Sequence, residues 1–371
     1  PLENKAFLAK DDTGGKLVSM TSSLKTRRRK EKWFRRMGFL SLCLALLFLG
    51  GILGKIVYTG YPAFFRTEVA AQAERPDLLN VHARYFLKEN KKWITASDDV
   101  DMYYKHEVVG NLTPHQIQAI DSLKNQGQIR LVFNTGFFTH SDSREPELAG
   151  IWGGLIGSLL TLFVTFCTAF PIGIGTALYL EEFAPKNRFT NWVEANINNL
   201  AAVPSILFGL LGLVFFIHFL GLPRPSALVG GLTLGLMSLP VIVVATRAAL
   251  SSVPPTLKEA ALGLGATPLQ VLFHHVVPMA MPGIMTGVIL SLARALGETA
   301  PLLMIGMVAF IATPPSTFLD PTTVLPVQIF NWSRSSEMGF VENTSGAILV
   351  LLIVLAILNG IAIFIRKKFE S

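Results

Sequence analysis

Six long apolar stretches constrain this chain more than any other feature of its sequence. Each is close to the length that an α-helix needs to cross about 30 Å of hydrocarbon. Of the 371 residues, 51% are hydrophobic and only 15% are charged, a composition too apolar for an ordinary soluble domain. The sequence therefore predicts an all-α membrane protein with six transmembrane helices. The stretches lie at residues 37–59, 149–180, 197–221, 227–249, 281–312 and 345–365.

The basic residues, which give a formal net charge of +7, concentrate beside the apolar stretches. A membrane surface explains this pattern better than a nucleic acid, so no nucleic-acid partner is expected. The positive-inside rule places the basic segment 1–36 and the chain after residue 365 in the cytoplasm, and an even number of helices satisfies both. The residues that set this orientation are Arg27, Arg28, Arg29, Lys30, Lys32, Arg35, Arg36, Arg366, Lys367 and Lys368.

Residues 60–148, between the first and second predicted helices, change sharply to a polar composition. This orientation makes them a small periplasmic domain inserted between two membrane spans. Thr113 and Gln116 have capping-box spacing and Gly127 is a stop signal, so a helix of about 13 residues is expected between them. The following IRLVFN segment predicts one short strand and so a small α/β insertion.

Prolines interrupt several of the apolar stretches. Such helices are tolerated where neighbouring helices or internal water satisfy the freed backbone groups. This pattern favours a bundle that lines a path over a simple membrane anchor. The prolines are Pro171, Pro204, Pro240, Pro282 and Pro301.

The predicted cytoplasmic loop 253–278 reads VPPTLKEAALGLGATPLQVLFHHVVP. Thr256 can cap a helix with Glu259 at its N3 position, and Gly265 can end that helix. Thr267 then begins a second capping box, of the form T-x-x-Q. The sequence therefore predicts two short helices joined by a glycine turn.

This loop resembles the cytoplasmic signature of ABC importer permeases, which is E-A-A followed by a glycine and a proline at fixed spacing. His275 stands where that family often has a hydrophobic residue. The resemblance implies that the loop docks into a groove on a separate ATPase. The residues that match the signature are Glu259, Ala260, Ala261, Gly265 and Pro278.

Arg294 and Glu298 lie inside the fifth apolar stretch. At 1.5 Å per residue, Arg294 would lie about 18 Å along a helix entering near Pro282, close to the bilayer centre. A charge at that depth costs about 2.5–3.5 kcal/mol, so it should face a bundle interior or a polar path. Glu298 is one turn away and can pair with it. The pair is either a structural lock between helices or an anion relay, since a guanidinium fork matches tetrahedral oxyanions.

The string ARALGETAP around Arg294, together with NNLAAVPSILFGLLGL at 198–213, resembles the PstA family of phosphate ABC importer permeases. The resemblance runs from about Gly150 to Lys368. It implies a phosphate-pathway role for Arg294 and Glu298 and, less firmly, for Arg247, which snorkelling explains equally well. Ser205 and Thr299 are further pathway candidates. Helix packing through Ser205 and Gly209 is the simpler alternative for Ser205.

The resemblance implies a type I importer architecture for the core at 149–371, in a bacterial inner membrane. Its implied partners are a second permease similar to PstC, an ATPase similar to PstB and a periplasmic phosphate-binding protein similar to PstS. The chain lacks G-x-x-x-x-G-K-[ST] and is not expected to be an enzyme, so ATP and Mg²⁺ would be bound by the partner ATPase. No cofactor or metal is expected in this chain, and Cys43 and Cys167 lie in apolar stretches.

Two alternatives stay open at this point. The cargo could be another oxyanion, sulfate or molybdate, with the same architecture. The chain could instead be a membrane-anchored sensor that binds a ligand through residues 60–148 and recruits a partner through residues 253–278. The sensor has no dedicated output domain and leaves the central Arg294 unexplained.

Overall fold

A long N-terminal helix, α1 (Met20–Gly60), opens the part of the chain that the computed structural model describes, residues 20–71, 75–79 and 92–370. The chain divides into two compact units, Pro1–Lys55 and Ile56–Ser371. In the first unit, α1 exposes a continuous apolar surface that includes Trp33, Phe39 and Leu47. The first 19 residues of the predicted segment 1–36 lie outside the described residues.

The predicted insertion is a small α/β element at the start of the second unit. Its sheet is antiparallel in the order β2-β1-β3, with Glu68 of β1 opposite both Thr95 and Arg130. The capping box of Thr113 and Gln116 is formed, and Gly127 takes the positive φ of +66° that ends the helix region. The elements are β1 (Phe65–Ala70), β2 (Trp93–Thr95), α2 (Asp98–His106), α3 (Pro114–Asn125), β3 (Ile129–Phe133) and α4 (Thr135–Thr139).

The rest of the second unit is helical. Three of its helices run into short π-helical turns, at Tyr179–Phe183, Leu213–Phe219 and Leu272–Val276. The helices are α5 (Trp152–Leu178), α6 (Arg188–Ala201), α7 (Ser205–Gly212), α8 (Ala227–Ser251), α9 (Pro255–Gly263), α10 (Pro268–Val271), α11 (Val277–Gly297), α12 (Ala300–Met304), α13 (Leu325–Trp332) and α14 (Met338–Glu370).

Within the described residues, five helices are long and apolar enough to cross a membrane. They are Arg28–Phe64, Trp152–Phe183, Ala227–Ser251, Pro268–Gly297 and Met338–Lys368. The count becomes six if the bent pair Arg188–Ala201 and Ser205–Phe219 forms one span. The structure therefore agrees with the predicted helical membrane protein.

The third predicted span, 197–221, is not a single straight helix. Its first residues belong to α6, which is largely exposed, and the chain then turns by 103° before α7. Pro204 lies at this turn with an extended ψ of 134°. Proline lacks the N–H of a helical hydrogen bond and disfavours helical geometry at the residue before it, which accounts for the break.

The helix observed for the fifth predicted span, 281–312, both starts and ends earlier in the sequence than predicted. This helix begins with α10 and ends at Gly297, and Glu298 has extended backbone with φ −77° and ψ 125°. The five-residue helix α12 follows, with Pro301 in its first turn. Glycine and proline at these positions explain why the helix does not continue.

Candidate functional site

Arg294 lies in the last turn of α11, beside the break that precedes α12. Its Nε donates a hydrogen bond to Oε1 of Glu298 over 3.3 Å, so the predicted pair is formed. The Arg294 side chain is 55% exposed in this chain, whereas that of Glu298 is 19% exposed. The bond uses only one of the five N–H donors of the guanidinium. An accessible cation is thus held in place by one carboxylate.

Thr299 is the next residue in this break and precedes α12. Its backbone carbonyl accepts hydrogen bonds from the N–H groups of Leu302 and Leu303, over 3.1 and 3.0 Å. Its side chain makes no capping bond to α12. The backbone of Thr299 therefore holds the first turn of α12. A pathway role for its hydroxyl stays a prediction.

Ser205 begins α7 and is half-buried at the other break, after Pro204. One turn later, Gly209 packs against α12, where an added Cβ would lie 2.6 Å from the carbonyl oxygen of Pro301. A larger residue at this position would not fit, as expected where small residues let helices approach closely. The two broken segments therefore pack against each other at Gly209. The packing and pathway interpretations of Ser205 both stay predictions.

Arg247, near the end of α8, has two acidic partners. Its Nε lies 3.1 Å from Oε2 of Glu181, and one of its terminal nitrogens lies 3.0 Å from Oε1 of Glu194. Neither partner was identified from the sequence, where both residues are merely acidic positions between the second and third apolar stretches. The pathway role of Arg247 stays a prediction, and two adjacent carboxylates would repel an anion there.

The loop at 253–278 contains the two predicted helical segments, α9 and α10, joined by a turn in which Gly265 has a φ of +89°. The capping box of Thr267 and Gln270 is formed. The predicted cap at Thr256 is wrong, because the N-cap lies two residues earlier, at Pro254, which makes no side-chain capping bond.

The second segment also differs from the prediction. Rather than a separate short helix, α10 continues through a π-helical turn into α11, so Pro268–Gly297 is one long helix. Pro278 lies in its first α-helical turn after the π segment. The loop is therefore directly continuous with the helix that carries Arg294.

The outer face of this loop is partly apolar. Glu259 and Ala260 are exposed, whereas Ala261 packs inward against the helices. Leu264, at the tip beside Gly265, is 90% exposed. Leu262 and Leu269 of the same loop are exposed as well, and several exposed apolar side chains are typical of an interaction surface. Sequence reasoning missed Leu264, although its position inside a glycine turn was a usable signal.

A second charged cluster joins the insertion to the start of α14. Nζ of Lys105 lies 2.6 Å from Asp101 and 3.2 Å from Glu342, and the side chains of Lys105 and Glu342 are each only 7% exposed. His106 contacts the other oxygen of Glu342 over 2.5 Å. Asp98 accepts a hydrogen bond from the N–H of Gly339, and burial raises the pKa of Asp98 to about 6. This cluster fixes α2 against the first turns of α14.

The sequence matches two family profiles. Residues 169–371 match the profile described as "Binding-protein-dependent transport system inner membrane component". Residues 21–79 match one described as "Domain of unknown function (DUF3333)".

Named relatives and a solved structure also resemble this chain. The "Probable ABC transporter permease protein YqgI" of Bacillus subtilis is 32% identical over 232 residues, 59% of this chain and 79% of the relative. The "Phosphate transport system permease protein PstA 1" of Mycobacterium tuberculosis is 35% identical over 239 residues, 63% of this chain and 77% of the relative. The solved MetNI methionine ABC transporter is 22% identical with a TM-score of 0.45, over 59% of this chain and 94% of that one.

The profile match covers more than half of the chain and includes the loop 253–278 and the Arg294–Glu298 pair. The match explains the apolar helices with their breaks as parts of a multi-pass inner-membrane protein. The chain belongs to the family of binding-protein-dependent transport system inner membrane components.

Proposed function

We propose that this chain is the transmembrane permease subunit of an ATP-driven importer of inorganic phosphate. The observation that carries the proposal is the accessible Arg294 guanidinium, held by Glu298 at the break between α11 and α12. The proposal is supported by relatives named as phosphate transport permeases in mycobacteria and in Methanocaldococcus jannaschii, at 31–36% identity.

The chemistry of this pair suits a tetrahedral oxyanion. Arginine stays charged at any physiological pH and presents planar donors that match two oxygens at once. The Glu298 carboxylate partly neutralises that charge, so that an anion can leave as well as bind. A protonated phosphate can also donate a hydrogen bond to Glu298, whereas fully ionised sulfate has no proton to donate. The pair thus offers a physical basis for passing phosphate and disfavouring sulfate.

The rest of the transporter would be supplied by partners. The exposed face of α9 and Leu264 would dock onto a cytoplasmic ATPase similar to PstB, which binds ATP and Mg²⁺. A second permease similar to PstC would complete the pathway, and a periplasmic protein similar to PstS would deliver phosphate. In this arrangement both termini of the chain lie in the cytoplasm.

Transport would follow from alternating access. Docking of the loaded binding protein and closure of the ATPase favour the outward-facing state, and hydrolysis returns the pathway to the inward-facing state. Arg294 would meet phosphate between these two states.

The test is uptake of labelled phosphate by cells that express this chain with its neighbouring transporter subunits. Excess unlabelled sulfate or molybdate is added as competitor, and cells that lack only this chain are the control. We expect uptake that depends on this chain and resists both competitors. Suppression by either competitor would move the cargo to that anion, and uptake that is the same without this chain would refute the proposal.

A further inference from the structure

An ion pair connects the coupling loop, residues 253–278, to a helix that is distant in sequence. Nζ of Lys258, in α9, lies 2.5 Å from Oε1 of Glu182, and both side chains are partly buried, at 27% and 16% exposed. Glu182 belongs to the π-helical turn that ends α5. The pair therefore links the loop to the inner end of the second long apolar helix.

The connectivity of the chain makes this link distinctive. A short segment joins α9 to α8, and a short turn joins it to α10 and so to α11. Any movement of α9 therefore reaches α8 and α11 through the backbone. Helix α5 has no such connection to the loop, because α6, α7 and α8 intervene along the chain. Side chains must carry a movement of α9 to α5, either directly from the loop or through the packing of α5 against α8.

Two kinds of contact are available for this. Leu257 and Ala261 of α9 share an apolar cluster with Ile174 and Leu178 of α5. Apolar contact holds surfaces together but is non-directional, so it permits one helix to slide along another. The Lys258–Glu182 pair joins two defined atoms and fixes the position of α9 along α5. The ion pair therefore supplies the directional contact.

The inner end of α5 is itself firmly held. Glu181, next to Glu182, pairs with Arg247 of α8, which also pairs with Glu194 of α6. Leu180 and Ala177 are buried against Val243 of α8 in a small apolar cluster. A force applied at Glu182 is therefore applied to a packed helix end and not to a flexible loop.

The outer end of α5 is bonded to a different part of the protein. Oγ of Ser158 accepts a hydrogen bond from the N–H of Leu325 over 2.8 Å. Nε2 of Gln328 donates to the carbonyl oxygen of Gly150 just before the helix, also over 2.8 Å. Since both ends are fixed to neighbours, α5 can carry a displacement from the coupling loop to the segment around α13.

The geometry points to Lys258 and Glu182 as positioning residues that couple movement of α9 to α5 and so link ATP hydrolysis to transport. This inference rests on the proposed docking of an ATPase at the loop. A movement of α9 would reach α8 and α11 through the chain and α5 through this ion pair, so the three helices would move together. Without the pair, α5 would follow α9 less closely, through apolar packing and through its contacts with α8.

The test uses the complete transporter in proteoliposomes, with its binding protein, and measures phosphate moved per ATP hydrolysed. The variants are Lys258→Glu, Glu182→Lys and the double exchange, and the control is Lys186→Glu, an exposed lysine four residues after Glu182. We expect each single reversal to lower the ratio at least about fivefold while ATP hydrolysis continues, as for loss of a typical coupling free energy. The double exchange should restore the ratio, and Lys186→Glu should leave it unchanged.

Single reversals with the wild-type ratio would overturn the inference. So would a parallel loss of assembly, hydrolysis and uptake that the double exchange does not repair, because that result indicates only a structural role. Stimulation of ATP hydrolysis by the loaded binding protein is a second readout, since coupling acts in both directions. If the wild-type complex shows this stimulation but moves no phosphate, the proposed cargo is wrong, and loss of stimulation in the single reversals still decides the inference.

Discussion

Arg294 and Arg247 lie in the same helical core but in opposite electrostatic settings. Arg294 has one carboxylate partner, Glu298, and is 55% exposed, whereas Arg247 has two, Glu181 and Glu194, and is 25% exposed. The Arg294–Glu298 pair is formally neutral, and its guanidinium keeps open donors. The charge of Arg247 is more than compensated. The number of carboxylates around each arginine therefore separates a cation available to an anion from a cation that holds helices together.

The insertion contains the most buried cation of the three. Lys105 is 7% exposed and lies between Asp101 and Glu342. A charge so enclosed cannot meet a passing ligand, and its contribution lies in fixing α2 to α14. The three sites predict a graded response to mutation, in which transport is affected most at Arg294 and least in the insertion.

Removal of Arg294 should have the largest effect. We expect Arg294→Ala to abolish uptake without preventing assembly, because the side chain is half-exposed and the pathway loses its fixed cation. Arg294→Lys should restore only part of the rate, since an ammonium lacks the planar fork. Labelled-phosphate uptake per molecule of membrane-inserted protein is the measurement, with Arg334→Ala, at an exposed arginine, as control. Normal uptake by Arg294→Ala would disprove the anion-relay role.

Neutralisation of Glu298 should have a smaller effect of a different kind. In Glu298→Gln the guanidinium charge is no longer partly neutralised by a carboxylate, so phosphate should be held more tightly and released more slowly. We expect the maximal uptake rate to fall about tenfold, or about 1.4 kcal/mol, with half-maximal uptake at lower phosphate concentration. Uptake kinetics measure both quantities, with Glu337→Gln as an exposed control. An unchanged rate, or weaker affinity, would contradict this role for Glu298.

Spacings of three or four residues in the sequence predicted several local contacts. The pair with Glu298 follows from a separation of four residues, and the capping boxes at Thr113 and Thr267 follow from a separation of three. The end of α11 at Gly297 was missed, because an apolar stretch continues through it and a single glycine is a weak stop signal. The break leaves the pair intact while placing Glu298 outside the helix.

Partners that are distant in sequence could not be predicted. Glu181 and Glu182 are adjacent acidic residues, and no local pattern shows that one meets Arg247 and the other Lys258. Both pairings depend on how α5, α8 and α9 pack, and that packing is set by the apolar cluster around Leu178 and Leu250. The sequence therefore predicted the Arg294–Glu298 pair but could not distinguish Arg294 electrostatically from Arg247.

Removal of Arg247 should affect the amount of protein more than its transport. Arg247→Ala leaves Glu181 and Glu194 without their shared cation, which should lower the free energy of unfolding by about 1–2 kcal/mol, between the values for exposed and buried pairs. We expect less protein in the membrane, with uptake per molecule far above that of Arg294→Ala. Quantified membrane protein and uptake test this, and adding Glu181→Gln and Glu194→Gln should restore the protein level. Complete loss of uptake per molecule would break the comparison.

Asp98 in the insertion should change stability with pH and have the smallest effect on transport. Burial raises its pKa from an ordinary 3.8 to about 6, so the native state binds the proton more tightly than the unfolded chain. The contribution of this group to the free energy of unfolding is therefore greatest below about pH 4 and falls as the pH rises to about 6. Asp98→Asn keeps an acceptor for the N–H of Gly339 and removes the titration, so its melting temperature relative to wild type should rise between pH 4 and pH 6.

Thermal unfolding of the purified chain at several pH values tests this, with the exposed Asp121→Asn as control. A difference in melting temperature from wild type that does not vary with pH would show that Asp98 does not titrate in this range. A loss of uptake as large as that of Arg294→Ala would show that the insertion takes part in transport directly.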